Sequence, residues 1–213
     1  MDDTNYQYPY FQRKEMLQFV PLECKKILEV GCGDGRFSSL LKEREGVEVW
    51  GIEIHPDSAA VASRKLDKVL CGDFVEILKM DLQENTFDCI VFNDVLEHFL
   101  YPEEILAGLK KILIKDGYVV SSLPNFRYVG NLWEIIIDKD FQYKSAGILD
   151  KTHMRYYTEK SIIRLYQQSG YKVLKCQGIN PTRSIKVKLF NLLMFNFFSD
   201  IFFLQFATIA QVE

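Results

Sequence analysis

The amino-acid sequence predicts an α/β fold built from repeated strand–helix–strand units. Short apolar runs alternate along the chain with longer amphipathic stretches, the rhythm of a sheet covered by helices. Three glycines, Gly31, Gly33 and Gly35, directly follow the first apolar run, where a strand turns sharply toward a helix. Apolar residues make up 48% of the 213-residue chain and charged residues 26%, an ordinary balance for one globular core. The expected organisation is one domain over residues 1–213. It carries an irregular insertion at about 126–158 and a Phe-rich helical insertion at about 186–203.

Each element has a local reason. Residues 27–30 read as a buried strand, and a helix starting near Arg36 carries Phe37, Leu40 and Leu41 on its inner face. Residues 47–54 form the second strand. Pro56 and Asp57 then open a helix containing Ala59, Ala60, Val61 and Ala62, because proline suits a first helical turn. Val69 and Leu70 end a short third strand at Cys71-Gly72-Asp73, and residues 87–92 make a fourth, apolar except at Asp88. A helix is expected at about 103–113. Asp116-Gly117 then turns the chain into a strand at 118–123, stopped by Pro124-Asn125. The stretch 126–158 is the least regular, with one helix at 132–137. Thr158 and Ser161 offer caps for a helix at 162–168, which Gly170 closes. The last two strands are 171–176 and 206–212.

Charge and cysteine usage narrow the function classes. A net charge of -3 argues against a dedicated nucleic-acid binder, whose phosphate contacts need a basic face, and leaves room only for a local basic patch. Five scattered cysteines without a CxxC pair read as reduced thiols in a cytoplasmic protein. The first residues are acidic and polar, unlike a secretory signal. In the Phe- and Leu-rich stretch 187–203, Asn191, Asn196, Ser199 and Asp200 interrupt any run approaching the roughly 20 apolar residues of a membrane span. That stretch is expected to pack on the domain or to meet a second copy in a homodimer, in preference to a membrane surface.

The glycine loop Gly31-Cys32-Gly33-Asp34-Gly35 lets backbone approach a ligand, and Glu53 lies at the next strand end, where a carboxylate can accept ribose hydroxyls. So far a nicotinamide dinucleotide and S-adenosylmethionine are equally served. The dinucleotide fingerprint would place its third glycine one position later. Gly72-Asp73-Phe74 adds a carboxylate and an aromatic ring at the third strand end, suited to an adenine amino group and its ring.

Taken in order, ILEVGCGDGRF, GIEI, CGDF and FDCIVFNDVLEH resemble the class I S-adenosylmethionine-dependent methyltransferases over nearly the whole chain. The resemblance implies a doubly wound, seven-stranded, mostly parallel Rossmann-like sheet with the last strand antiparallel. It implies S-adenosylmethionine as cofactor, with Gly31, Gly33 and Gly35 along its methionine part. Glu29 would orient that loop and Asn93 would pass close to the methionine. Glu53 and neighbouring Ile54 would meet the ribose, and Asp73 and Phe74 the adenine. Tyr6, Tyr8, Tyr10, Phe11 and Arg13 resemble a tail folded over the cofactor, followed by a helix with Met16, Leu17 and Val20 on its apolar side. A non-catalytic protein of this fold that had lost its cofactor would not need Glu53 and Asp73, whereas a silent subunit that still binds cofactor would keep them.

Methyl transfer is an in-line displacement, and a hydroxyl acceptor gains from a base. The candidates are His153, His98 and Asp94. His153 falls in the run Asp150-Lys151-Thr152-His153-Met154-Arg155-Tyr156-Tyr157, similar to one found in many bacterial small-molecule methyltransferases. That likeness makes a small-molecule acceptor the expectation, with a sugar or sugar-nucleotide hydroxyl ahead of an amine. Arg155 and Arg127 could hold an acceptor phosphate or carboxylate. Alternatively, Asp94, Glu97 and His98 with the distant His153 resemble the ExxEH…H set of metal-dependent methyltransferases acting on catechol-like or RNA-end acceptors, Asp standing where that pattern has Glu. Two carboxylates one helical turn apart could then share an ion.

Overall fold

The computed structural model describes residues 12–80 and 82–213. Its strands are β1 (Lys26–Val30), β2 (Glu48–Glu53), β3 (Lys68–Cys71), β4 (Phe87–Asn93), β5 (Leu113–Pro124), β6 (Tyr171–Pro181) and β7 (Phe203–Val212). They form one seven-stranded sheet in the order β3-β2-β1-β4-β5-β7-β6. The first five pair in parallel, and β7 runs antiparallel to both β5 and β6. The order reverses between β1 and β4, which opens a crevice at their carboxyl ends.

The central strands are apolar on both faces because both are covered. Successive residues point to opposite sides, so Ile27, Cys89 and Val91 join one buried cluster while Leu28, Ile90 and Phe92 join the other. Helices α1 (Arg36–Leu41), α2 (Pro56–Ala62), α3 (Phe74–Met80), α4 (Pro102–Leu109), α5 (Val129–Trp133), α6 (Glu159–Gln168) and α7 (Ile185–Leu193) connect the strands. A 3₁₀ helix at Lys14–Phe19 precedes β1 and buries Met16 and Phe19 completely.

Several boundaries differ from the sequence expectation. The helix expected to reach residue 113 ends at Leu109, and Leu113 already starts β5. Asp116-Gly117 lies inside β5 rather than before it: Asp116 takes φ 61° and the pairing with β4 shifts register between Phe87 and Cys89. From the pair Phe87–Leu113 to the pair Cys89–Tyr118 β4 advances two residues and β5 five, so three extra residues of β5 bulge out around Asp116-Gly117. Helix α3 was not expected; Asp73 caps it, its Oδ1 accepting from the Val75 and Glu76 N–H groups at 2.8 and 3.1 Å. The last two strands extend further, β6 onward to Pro181 and β7 back to Phe203, where they pair. At α6 the expected caps are present: Thr158 and Ser161 form a reciprocal capping box.

Candidate cofactor and acceptor site

The crevice holds a cavity of about 290 Å³ whose lining includes Gly31, Gly33, Asn93, Glu97, His98 and His153. Its floor is the turn after β1. Gly31 takes φ 69°, and a Cβ there would meet Val95 at 2.7 Å, so only glycine fits without displacement. The Gly31 and Cys32 N–H groups both donate to the Ile52 carbonyl, and Gly33 N–H donates to Glu53 Oε2 at 2.8 Å. The buried Glu53 carboxylate, which also accepts from His55 N–H at 2.9 Å, thus ties the loop to the end of β2. Cys32 fills the space beside Gly51, and burial, with the charges of Glu29 and Glu53, pushes its thiol far above the ordinary range. It is a packing residue.

Glu29 sits beneath the loop on β1. Its carboxylate accepts from Ser38 Oγ at 2.5 Å and from Asn93 Nδ2 at 2.9 Å. Burial nevertheless raises its pKa to about 7, only partly opposed by those two hydrogen bonds. Asn93 Oδ1 is itself buried and accepts no hydrogen bond among the described residues. A buried acceptor without a donor beside a glycine cradle fits a ligand that brings N–H groups, as the methionine end of S-adenosylmethionine does. Farther along the same edge, Asp73 holds the start of α3, and Ile54 is exposed. Phe74 departs from expectation: as the first residue of α3 it turns into the core. It is 5% exposed there, with its ring 5.9 Å from that of Phe92 and 6.1 Å from that of Phe99.

The other end of the cavity is built from a 3₁₀ turn, Leu96–His98, and the segment around His153. The Met154 and Arg155 N–H groups donate to the Glu97 carbonyl at 2.8 and 3.1 Å, which draws the two segments together. The His98 and His153 rings consequently meet edge to face, 4.9 Å apart. His153 Nδ1 lies 3.0 Å from the Ile148 carbonyl and His98 Nδ1 lies 3.3 Å from that of Thr152. A carbonyl only accepts, so each Nδ1 carries the hydrogen and each Nε2 keeps its lone pair. Burial, then the neighbouring His153, pushes the His98 pKa down.

Glu97 is the anomaly of the site. It is completely buried, and neither carboxylate oxygen receives a hydrogen bond among the described residues. Burial, followed by the charge of Asp94, raises its pKa well above the carboxylate range. One ligand atom each from Glu97, His98 and His153 lies within 4.8 Å of the others, His153 Nε2 being 3.9 Å from Glu97 Oε1. The set suits a divalent cation: an anionic oxygen and two imidazole lone pairs, each ring oriented by a carbonyl.

Asp94 does not join them. It has φ 57° and precedes the 3₁₀ turn, so the helical spacing that would align it with Glu97 is absent. Its carboxylate accepts from Ser122 Oγ at 2.9 Å and Gln205 Nε2 at 2.6 Å, and it is paired with Arg13. Arg127 is paired with Asp200, and Arg155 donates to the Leu100 carbonyl, so neither is directed at the cavity. Arg13 lines the cavity, and its Nη2 is buried with no acceptor among the described residues. Tyr6, Tyr8, Tyr10 and Phe11 lie outside the described residues. Gln205 was missed in the sequence, although a glutamine inside the apolar run of β7 was a visible irregularity.

Comparison with known proteins agrees with this arrangement. A family profile described as a methyltransferase domain matches residues 5–175. A ubiquinone biosynthesis O-methyltransferase of Idiomarina loihiensis is 32% identical over 75% of this chain and 67% of its own. For the enzyme of that name from Coxiella burnetii the values are 25%, 78% and 72%. The chain spans 65% of the length of a Methanocaldococcus jannaschii protein to which it is 24% identical. Among solved structures, an Archaeoglobus fulgidus SAM-dependent methyltransferase superposes with a TM-score of 0.71, at 21% identity over 92% of this chain and 91% of that one. The matched profile, the strand order and the glycine-loop crevice agree: the chain belongs to the class I S-adenosylmethionine-dependent methyltransferases.

Proposed function

We propose that this methyltransferase acts on a hydroxyl of a small molecule, and that a divalent cation held by Glu97, His98 and His153 takes part. The observation that carries the reading is Glu97: a fully buried carboxylate with two oxygens lacking donors, facing two imidazoles. An unpaired buried carboxylate is costly, and a cation is the partner that removes the cost. Relatives 25–32% identical bear the name of O-methyltransferases, which agrees with oxygen as the acceptor atom. A catechol-like or sugar diol fits the reading, since two adjacent oxygens can share one cation.

S-adenosylmethionine, when bound, supplies an electrophilic methyl group on a sulfonium. Gly31 and Gly33 would give it backbone clearance, Asn93 Oδ1 would accept from its methionine end, and Arg13 Nη2, which has no acceptor among the described residues, would meet its carboxylate. Glu53 and Asp73 stand at the strand ends suited to ribose and adenine. A cation at Glu97, His98 and His153 would supply Lewis acidity toward the acceptor hydroxyl. The carbonyls of Ile148 and Thr152 hold the two rings in the ligating tautomer. Asp94, locked by Ser122, Gln205 and Arg13, positions the cavity wall and is not the base.

Elemental analysis of the purified protein, before and after chelation, tests the proposal. The expected result is near-stoichiometric divalent metal that Glu97→Gln does not retain. Protein that holds no metal on titration, and methylates diol acceptors equally in chelator, would overturn it.

A further inference from the structure

The connection between β6 and β7 presents an inverted surface. Helix α7 exposes Ile185, Leu189, Leu192 and Leu193, while Asn191 is buried. Phe195 is 95% exposed and Phe197 78%. In the single chain these four apolar residues of α7 face solvent, which leaves a surface for a partner.

This exposure is built into the local chain. Asn191 staples the turn after α7: its Nδ2 donates to Asn196 Oδ1 at 3.0 Å, its Oδ1 accepts from Phe198 N–H at 2.9 Å, and its carbonyl accepts from Asn196 N–H at 2.8 Å. Phe195 and Asn196 are held at φ 51° and 60°, a left-handed conformation that a non-glycine residue adopts only under constraint. The result is a defined loop that holds two phenyl rings out into solvent.

Charge identifies the partner. Between Pro181 and Ser199 the chain carries Arg183, Lys186 and Lys188 and no acidic residue, although its net charge is -3. Lys186 and Lys188 are exposed beside the outward leucines. A local cationic rim around protruding aromatic and aliphatic side chains matches an anionic lipid surface, where rings enter the headgroup region and lysines meet phosphate. No helix among the described residues is long and apolar enough to cross a membrane, so the element would lie on the surface.

The element also leads straight into the site. A 3₁₀ turn at Ser199–Phe202 follows it, and the first residues of β7 after that turn include Leu204 and Gln205, both lining the cavity. Asp200 in the same turn is paired with Arg127, just before α5. Trp133 in α5 and Ile136 and Ile137 in the π turn Glu134–Asp138 that follows add further exposed apolar surface.

We propose that the β6–β7 connection docks this methyltransferase on an anionic lipid bilayer through Phe195, Phe197 and the flanking Lys186 and Lys188. Docking at this end of the sheet places the acceptor side of the cavity next to the lipid, so that acceptors partitioned into the bilayer reach it without crossing water.

Vesicle flotation tests this without acceptor or cofactor, and so independently of the cation at Glu97. The full chain is floated with phosphatidylcholine vesicles and with vesicles containing about one-third phosphatidylglycerol. Binding is expected only to the anionic vesicles. The double variant Lys186→Gln/Lys188→Gln should bind about thirtyfold more weakly, at roughly fivefold per lysine. Phe195→Ser/Phe197→Ser should abolish flotation while keeping the wild-type melting temperature, since both rings are exposed. Absence of flotation with either vesicle, or flotation of both double variants at the wild-type level, overturns the proposal. So does a dimer in light scattering that Phe195→Ser/Phe197→Ser converts to monomer without any vesicle binding, which would assign the face to a second copy.

Discussion

Asn93 at the end of β4 donates from Nδ2 to the carboxylate of Glu29 in β1 at 2.9 Å, joining the two strands across the point where the sheet order reverses. The pair leaves Asn93 Oδ1 as a buried acceptor at the cavity and holds Glu29 under the glycine loop. Both consequences are measurable.

Glu29 makes stability depend on pH in a defined direction. Its pKa rises from 4.5 to about 7 on folding, because burial disfavours the charge. A raised pKa means that the folded chain keeps a proton the unfolded chain releases. The stabilisation is therefore complete below about 4.5 and disappears as pH rises through about 7. The unfolding free energy of the ligand-free protein, from urea titrations, should fall across that window by up to about 3 kcal/mol. Glu29→Gln should flatten the slope; an unchanged slope would mean that another group titrates.

Gly31→Ala should be damaging out of proportion to its size. A Cβ at φ 69° faces Val95 at 2.7 Å, and any relief moves the loop or β4's end. A loss above about 1 kcal/mol in chemical denaturation is expected. Calorimetry should show weakened binding of S-adenosylhomocysteine alongside it.

Asp73 has two separable roles. Asp73→Ala removes the α3 cap, at about 1 kcal/mol of stability, and should also weaken S-adenosylhomocysteine binding. Asp73→Asn keeps a capping oxygen, so the melting temperature should return while affinity recovers only in part, the charge-assisted contact being gone. Full recovery of both would remove the adenine role.

Glu97→Gln and His153→Ala should spare S-adenosylhomocysteine binding and lower turnover by at least about a hundredfold. In chelator, Glu97→Gln should unfold at or above the wild-type temperature, because an amide in that buried place carries no charge to desolvate. A large drop in melting temperature would show instead that Glu97 holds the fold.

The glycine turn, the acidic residues at the ends of β1, β2 and β3 and the capping box at Thr158 were all legible in the sequence. Each depends on residues adjacent in the chain and on backbone conformations that few side chains permit. The parallel core was legible for a similar reason: strands buried on both faces read as continuous apolar runs. Phe74 was misplaced because its neighbours do not reveal that α3 begins there and turns the ring toward Phe92 and Phe99.

What the sequence by itself determined is therefore the fold, the family and the glycine turn with its acidic neighbours at the strand ends, all encoded by short-range pattern. Only the tertiary structure decided the acceptor side. Asp94 is taken out of the ligand set by Gln205, 111 residues away, and by Arg13, 81 residues away. Glu97 loses every donor while His153 is carried to it by hydrogen bonds from a distant loop. The outward leucines of α7 would read as core in any helical wheel. Whether a side chain is paired, orphaned or exposed depends on which distant segments fill the space around it, and that is settled by packing.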